Sequence, residues 1–182
     1  MQYIAKEKAG FTEIVTSEEC VKHLYLDADA DLTLLPSYIL TARRYVEQRC
    51  NVPLVTKTVK VHLDSFPTYK GKIFLPLITE STNKTCITYI DSNNNDQEID
   101  IDDVIFANVP QPNYLIPKTE WPSGAKKVTI VYEATAYYDK NSYKSLVLSM
   151  IAHQYANRDI VESKFENSLN NAIAPLILRY NT

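Results

Sequence analysis

The hydrophobic period of this chain changes twice along its length, and that switch constrains the fold more than any other feature. Apolar positions recur at Leu35, Ile39, Ala42, Val46 and Cys50, a spacing of three and four that lays one buried stripe along a helix. The stripe predicts a helix over about 31–50, closed by Asn51 and by Pro53, which has no amide hydrogen to continue the ladder. The period then drops to two. Val55, Lys57, Val59, Val61 and Leu63 alternate with Thr56, Thr58, Lys60, His62 and Asp64, as in a half-buried strand. Further strands are predicted over Lys72–Leu75, Thr85–Asp91, Gln97–Ile101 and Lys127–Tyr132. Helical spacing returns at Leu146, Val147, Met150, Ile151, Gln154 and Tyr155, and again at Leu169, Ala172, Ile173, Leu176, Ile177 and Tyr180. Pro175 falls inside the last pattern, so that helix must kink or restart.

Local signals fill the gaps. Thr16 followed by Glu19 is a capping box, which predicts a helix over about 17–26. Ser92-Asn93-Asn94-Asn95-Asp96 reads as a hairpin turn, because asparagine tolerates the positive φ of tight turns. The four prolines of Val109–Pro122 predict an extended arm or loop, and the first fifteen residues show no firm periodicity. The resulting fold class is α+β: a small helical bundle, with two N-terminal helices (about 17–50) and two C-terminal helices (about 141–180), holding a β-rich insertion at about 54–132. With 182 residues, 45% of them apolar, the chain can withdraw about two thirds of its unfolded surface around one core, so a single domain over 1–182 is expected.

Composition excludes several function classes. The net charge of -3 argues against a protein whose task is gripping phosphates. The three cysteines, Cys20, Cys50 and Cys86, are odd in number and far apart, so they predict buried small apolar residues and not a disulfide framework or metal knuckle. Only Gly10, Gly71 and Gly124 are glycines, too few and too dispersed for a phosphate-cradling loop. No run approaches the roughly 18 apolar residues of a membrane helix, and Met1–Lys6 lacks the apolar run of a signal peptide, which predicts a soluble chain made in the cytoplasm, with no membrane partner.

The residues that chemistry would need are scattered. His23, His62 and His153 have no second ligand at metal spacing. Ser123-Gly124-Ala125-Lys126 reads SxxK, a pattern that arises freely by chance. Asp27, Asp29 and Asp31 imitate the opening of a calcium loop, but Leu32 stands where the turn needs glycine and Tyr38 where a bidentate carboxylate belongs. They read instead as charges favouring the positive end of the second helix. Asn83-Lys84-Thr85 matches a glycosylation sequon by its letters alone. Arg43-Arg44 and Lys126-Lys127 read as solvated or subunit-contact charges. The 13 tyrosines fit either strands or protein–protein contacts. No catalytic residue, metal site or cofactor is expected, and the chain is expected not to be an enzyme.

The order of segments resembles the head-tail connector, or adaptor, proteins that complete the heads of tailed bacteriophages. The resemblance is carried by Ala42-Arg43-Arg44-Tyr45-Val46-Glu47, Asp64-Ser65-Phe66-Pro67, Ile73-Phe74-Leu75-Pro76, Tyr89-Ile90-Asp91, Trp121-Pro122 with the strand Val128–Tyr132, Ile151–Arg158, and Pro175–Tyr180. Family members usually carry a glycine where Ala136 precedes Tyr137. The resemblance implies a structural virion protein: a ring of twelve copies at the head-tail interface, assembled from the host cytoplasm. It would bind the portal protein, extend the channel through which genomic DNA passes without sequence-specific binding, and offer a platform to stopper or tail proteins. On that footing Ile173, Leu176, Ile177, Leu178, Arg179 and Tyr180 are portal-interface candidates, because terminal segments can order on binding. Asn93, Asn94, Asn95, Tyr114, Trp121, Tyr137 and Tyr138 are subunit-interface candidates. Competing readings are another neck or tail protein, such as a stopper or tail terminator, and a host small-molecule-binding domain or enzyme.

Overall fold

A computed structural model describes residues 1–27, 32–77, 82–107, 113–135 and 140–156. Three helices and two antiparallel sheets make up these residues: β1 (Gln2–Glu7), α1 (Ser17–Leu24), α2 (Leu35–Cys50), β2 (Lys57–Leu63), β3 (Ile73–Phe74), β4 (Thr82–Ile90), β5 (Asp96–Ile99), β6 (Val104–Ala107), β7 (Tyr114–Pro117), β8 (Lys126–Ala134) and α3 (Lys140–Ala156), with a 3-10 turn at Ile101–Asp103.

The helix boundaries follow from their end chemistry. Thr16 accepts from the Glu19 amide and Glu19 accepts from the Thr16 amide, so the capping box closes α1 as expected. The second helix starts at Leu35 with Pro36 in its first turn, where a missing amide hydrogen costs nothing, and Asn51 ends it in the left-handed conformation. Its first turn holds no acidic residue, and Asp29 and Asp31, expected to favour its positive end, lie outside the described residues.

The large sheet has the order β1-β2-β8-β4-β5, and the small one β3-β7-β6. Three corrections to the sequence reading follow. The β part is no insertion between helical pairs, because β1 opens the chain and pairs along its whole length with β2. Residues 114–117 are no arm: β7 is the central strand of the small sheet, with Pro117 at its end, where the lack of a donor is tolerated. The two-plus-two helix plan is also not what is found, since among the described residues two helices lie between β1 and β2 and one follows β8; the helix expected over 169–180 lies outside them.

Two apolar clusters result. One is the α1–α2–α3 core around Cys20, Ile39, Val46, Tyr143, Val147 and Ile151. The other lies between the sheets, around Val59, Val61, Ile87, Leu115, Trp121, Ile130 and Tyr132. Cys20 and Cys50 are buried as expected, and burial pushes both thiols up to about 11. Cys86 is only half-buried; its thiol donates to Glu98 at 3.2 Å, which raises its pKa.

Candidate functional site

The densest polar arrangement lies where the helical core meets the large sheet, and it is built around Arg43. The side chain is 0% exposed, whereas that of Arg44, one residue on, is 60% exposed, because successive helix residues point about 100° apart. The Arg43 guanidinium uses its whole fork. Nε donates to Glu13 at 2.8 Å, Nη1 to Glu47 at 3.0 Å and Nη2 to Glu7 at 3.0 Å, and the cation sits 5.2 Å from the centroid of the Phe11 ring. Glu47 is buried as well. It accepts from the Leu54 amide at 2.8 Å and from Lys57 Nζ at 2.6 Å, while Arg44 donates to Glu7 at 3.2 Å.

The cluster is closed. Arg43, Arg44 and Lys57 balance Glu7, Glu13 and Glu47. Burial alone would lower the Arg43 pKa, but the hydrogen bond of Glu7 and the charges of Glu47 and Glu13 outweigh it and raise the value. Burial likewise works to raise the Glu7 pKa, and the hydrogen bonds and charges of Arg43 and Arg44 override it and lower the value. Both groups are thus held ionised, which suits a clasp between β1, α2 and β2 and not a proton relay. Beside it, a groove of about 530 Å³ runs between β1 and α2, lined by Tyr3, Glu7, Arg44, Gln48, Asn51 and Leu77.

Arg43 was therefore misread as a solvated or subunit-contact charge. Two signals mark its role in the sequence: Arg43 and Glu47 are an i,i+4 pair bordering the apolar stripe, and Lys57 stands in the inward row of the β2 alternation, where a cation needs a partner.

The predicted interface residues are dispersed. Asn93, Asn94 and Asn95 form the exposed β4–β5 hairpin tip, braced from within by Asp91, whose carboxylate accepts from the amides of Asn93 at 2.8 Å and Asn95 at 2.9 Å. Those amides, with the side chains of Asn95 and Gln97, lower the Asp91 pKa. Tyr114 lies on the outer face of the small sheet, edge-on to Phe74 and under Lys72 Nζ, 4.3 Å from the ring centroid. Trp121 is in the β core: it stacks on Phe66 at 4.8 Å and donates from Nε1 to the Gly71 carbonyl at 2.7 Å. Gly71 is required there, since a Cβ would meet that of Pro67 at 2.6 Å. Tyr137, Tyr138 and the whole Ile173–Tyr180 set lie outside the described residues.

No hydrogen bond joins Ser123 to Lys126, no group of three metal-ligating side chains occurs among the described residues, and no helix there is long and apolar enough to cross a membrane.

No protein-family model matches the chain, and no curated protein does. Solved structures do. A chain in the neck of an empty gene transfer agent (GTA) particle, computed with C6 symmetry, superposes with a TM-score of 0.70 at 17% identity, over 95% of this chain and 94% of that one. A chain in the virion of a native GTA particle gives 0.66 at 16% identity, over 97% and 94%. A chain in the neck of a native GTA particle computed with C12 symmetry gives 0.63 at 16%, over 95% and 94%. At these identities the likeness is one of fold.

Proposed function

We propose that this chain is a structural component of the neck of a tailed-phage or phage-like particle, built into it as a ring. The observation that carries the reading is the near-complete overlap, on both sides, with chains of GTA neck structures computed with C6 and C12 symmetry. Within that role we assign it to the adaptor position: a dodecamer that binds the portal, lets DNA pass, and receives a stopper or tail. The segment order described above supports this assignment, as does a net charge of -3, which keeps a channel wall from adhering to phosphates. A structural and non-enzymatic role fits the closed Arg43 clasp, the polar feature on which the fold spends its buried charges. The Ile173–Tyr180 segment is assigned to the portal contact.

Deleting the gene and imaging the lysate tests the reading. Complete tails lying beside tailless heads are the expected result, and intact infectious particles would overturn it. Retention of the purified chain by isolated portal rings distinguishes an adaptor from a stopper, and loss of retention on truncation after residue 168 is the expected signature of the C-terminal contact.

A further inference from the structure

The large sheet is electrically lopsided. Side chains alternate between its faces, so with Val59 and Val61 buried, Lys60 lies on the outward face beside Ile4, and Lys6 pairs across to Thr58 in the same outward row. Ile4 is 54% exposed there, and Met1 and Tyr3 are exposed along the same edge, Tyr3 in the inward row opposite Val61. The opposite edge carries Asp96 and Glu98 on β5, then Asp100, Asp102 and Asp103 in the turn that follows, with Ile101 42% exposed among them. Among the described residues, Lys6, Lys60, Asp96, Asp100, Asp102 and Asp103 enter no ion pair, and the one polar contact of the Glu98 side chain is the Cys86 thiol.

Among the described residues, each edge thus combines unpaired charge of one sign with exposed apolar side chains, on a strand without proline. That is the make-up of an interface core with a charged rim, on edges left open to pairing. Four strand spacings separate β1 from β5, about 19 Å, so the two charges do not meet within one chain. A two-fold dimer would set acid against acid or base against base, whereas head-to-tail contact sets acid against base.

We infer that the β5 and 3-10 edge of one copy docks on the β1–β2 edge of a second copy of this chain, as the heterologous contact of a closed ring. This inference rests on the ring reading above.

Two sets of exposed substitutions test it in the full-length chain: D96K/E98K/D100K on one edge and K6E/K60E on the other, each checked for an unchanged circular dichroism spectrum. Sedimentation at low salt should show wild-type self-association that added salt weakens. Each reversal alone should weaken it at least about tenfold, and an equimolar mixture of the two should restore it, because each supplies the edge the other lacks. Zero-length carbodiimide coupling of the wild type should join Lys6 or Lys60 of one copy to Asp96 or Glu98 of another. Reversed variants that associate like the wild type, or a wild type that stays monomeric at low salt, would overturn the edge contact. The particle phenotype of the gene deletion is independent of either result, so failure of the contact is separable from failure of the neck reading.

Discussion

The helical core and the sheet core are of similar size, yet they are filled by different means. Among helices the buried positions are mostly aliphatic or cysteine, with Tyr143 as the large ring, because ridges one residue wide interlock with small knobs. Between the sheets Phe66, Trp121 and Tyr132 do the filling, since two pleated faces about 10 Å apart need long side chains to meet. Tyr132 even reaches out of that core to donate to the Pro76 carbonyl. What joins the two cores is neither: it is the Arg43–Glu47–Lys57 clasp, a polar joint whose strength depends on every partner being present.

Breaking the joint should have the largest effect. Arg43→Met keeps much of the volume but leaves Glu47 without one of its cations, and should cost about 3–5 kcal/mol in urea unfolding. If the clasp couples the cores, calorimetry of this variant should resolve two transitions where the wild type gives one. A single transition, merely shifted, would mean the cores are held together by something else.

Smaller changes sharpen the comparison. Ile130→Val removes one methylene from the sheet core and Ile151→Val one from the helical core; each should cost about 1 kcal/mol. Equal shifts of one melting curve indicate a single cooperative unit in the wild type. Unequal shifts would rank the cores.

The smallest effect is acid sensitivity at the joint. The Glu7 pKa is lowered in the folded chain from 4.5, so its contribution is complete above that value and is lost as pH falls through the folded value. Stability measured against pH should therefore decline below about 4.5, and Glu7→Gln should flatten that decline by up to one proton's worth of slope. An unchanged slope would locate the acid sensitivity elsewhere, with Glu19 the next group to test, since its hydrogen bonds from Lys144 and the Thr16 amide lower its pKa too.

The sequence made the regular parts legible for a physical reason: α2 and β2 each bury one face, so their periods are printed in the residues. The capping box and the asparagine turn were equally readable, because their hydrogen bonds are local. The first strand was not. An edge strand exposed on nearly every residue has no apolar row to announce it, and the inward Glu7 disguises the alternation further. The small sheet was read in part: β3 was anticipated, but β6 and β7 have four residues each, and proline suggested an arm where pairing on both sides holds a strand. The clasp was hidden by treating Arg43 and Arg44 alike, when a single helical step sends one inward and the other to solvent. Tyrosine divides in the same way, with Tyr132 and Tyr143 buried and Tyr25 and Tyr69 at the surface.

One consequence of the Trp121 pocket is optical. The chain has a single tryptophan, and its indole is stacked on Phe66 and hydrogen-bonded to Gly71 inside the sheet core. Its fluorescence therefore follows the packing of the strands, while thiol labelling of Cys20 and Cys50 follows the packing of the helices. Each half thus holds its own reporter: the indole needs no label, and the two buried thiols are read cleanly once Cys86, which donates to Glu98 on the β5 edge, is replaced.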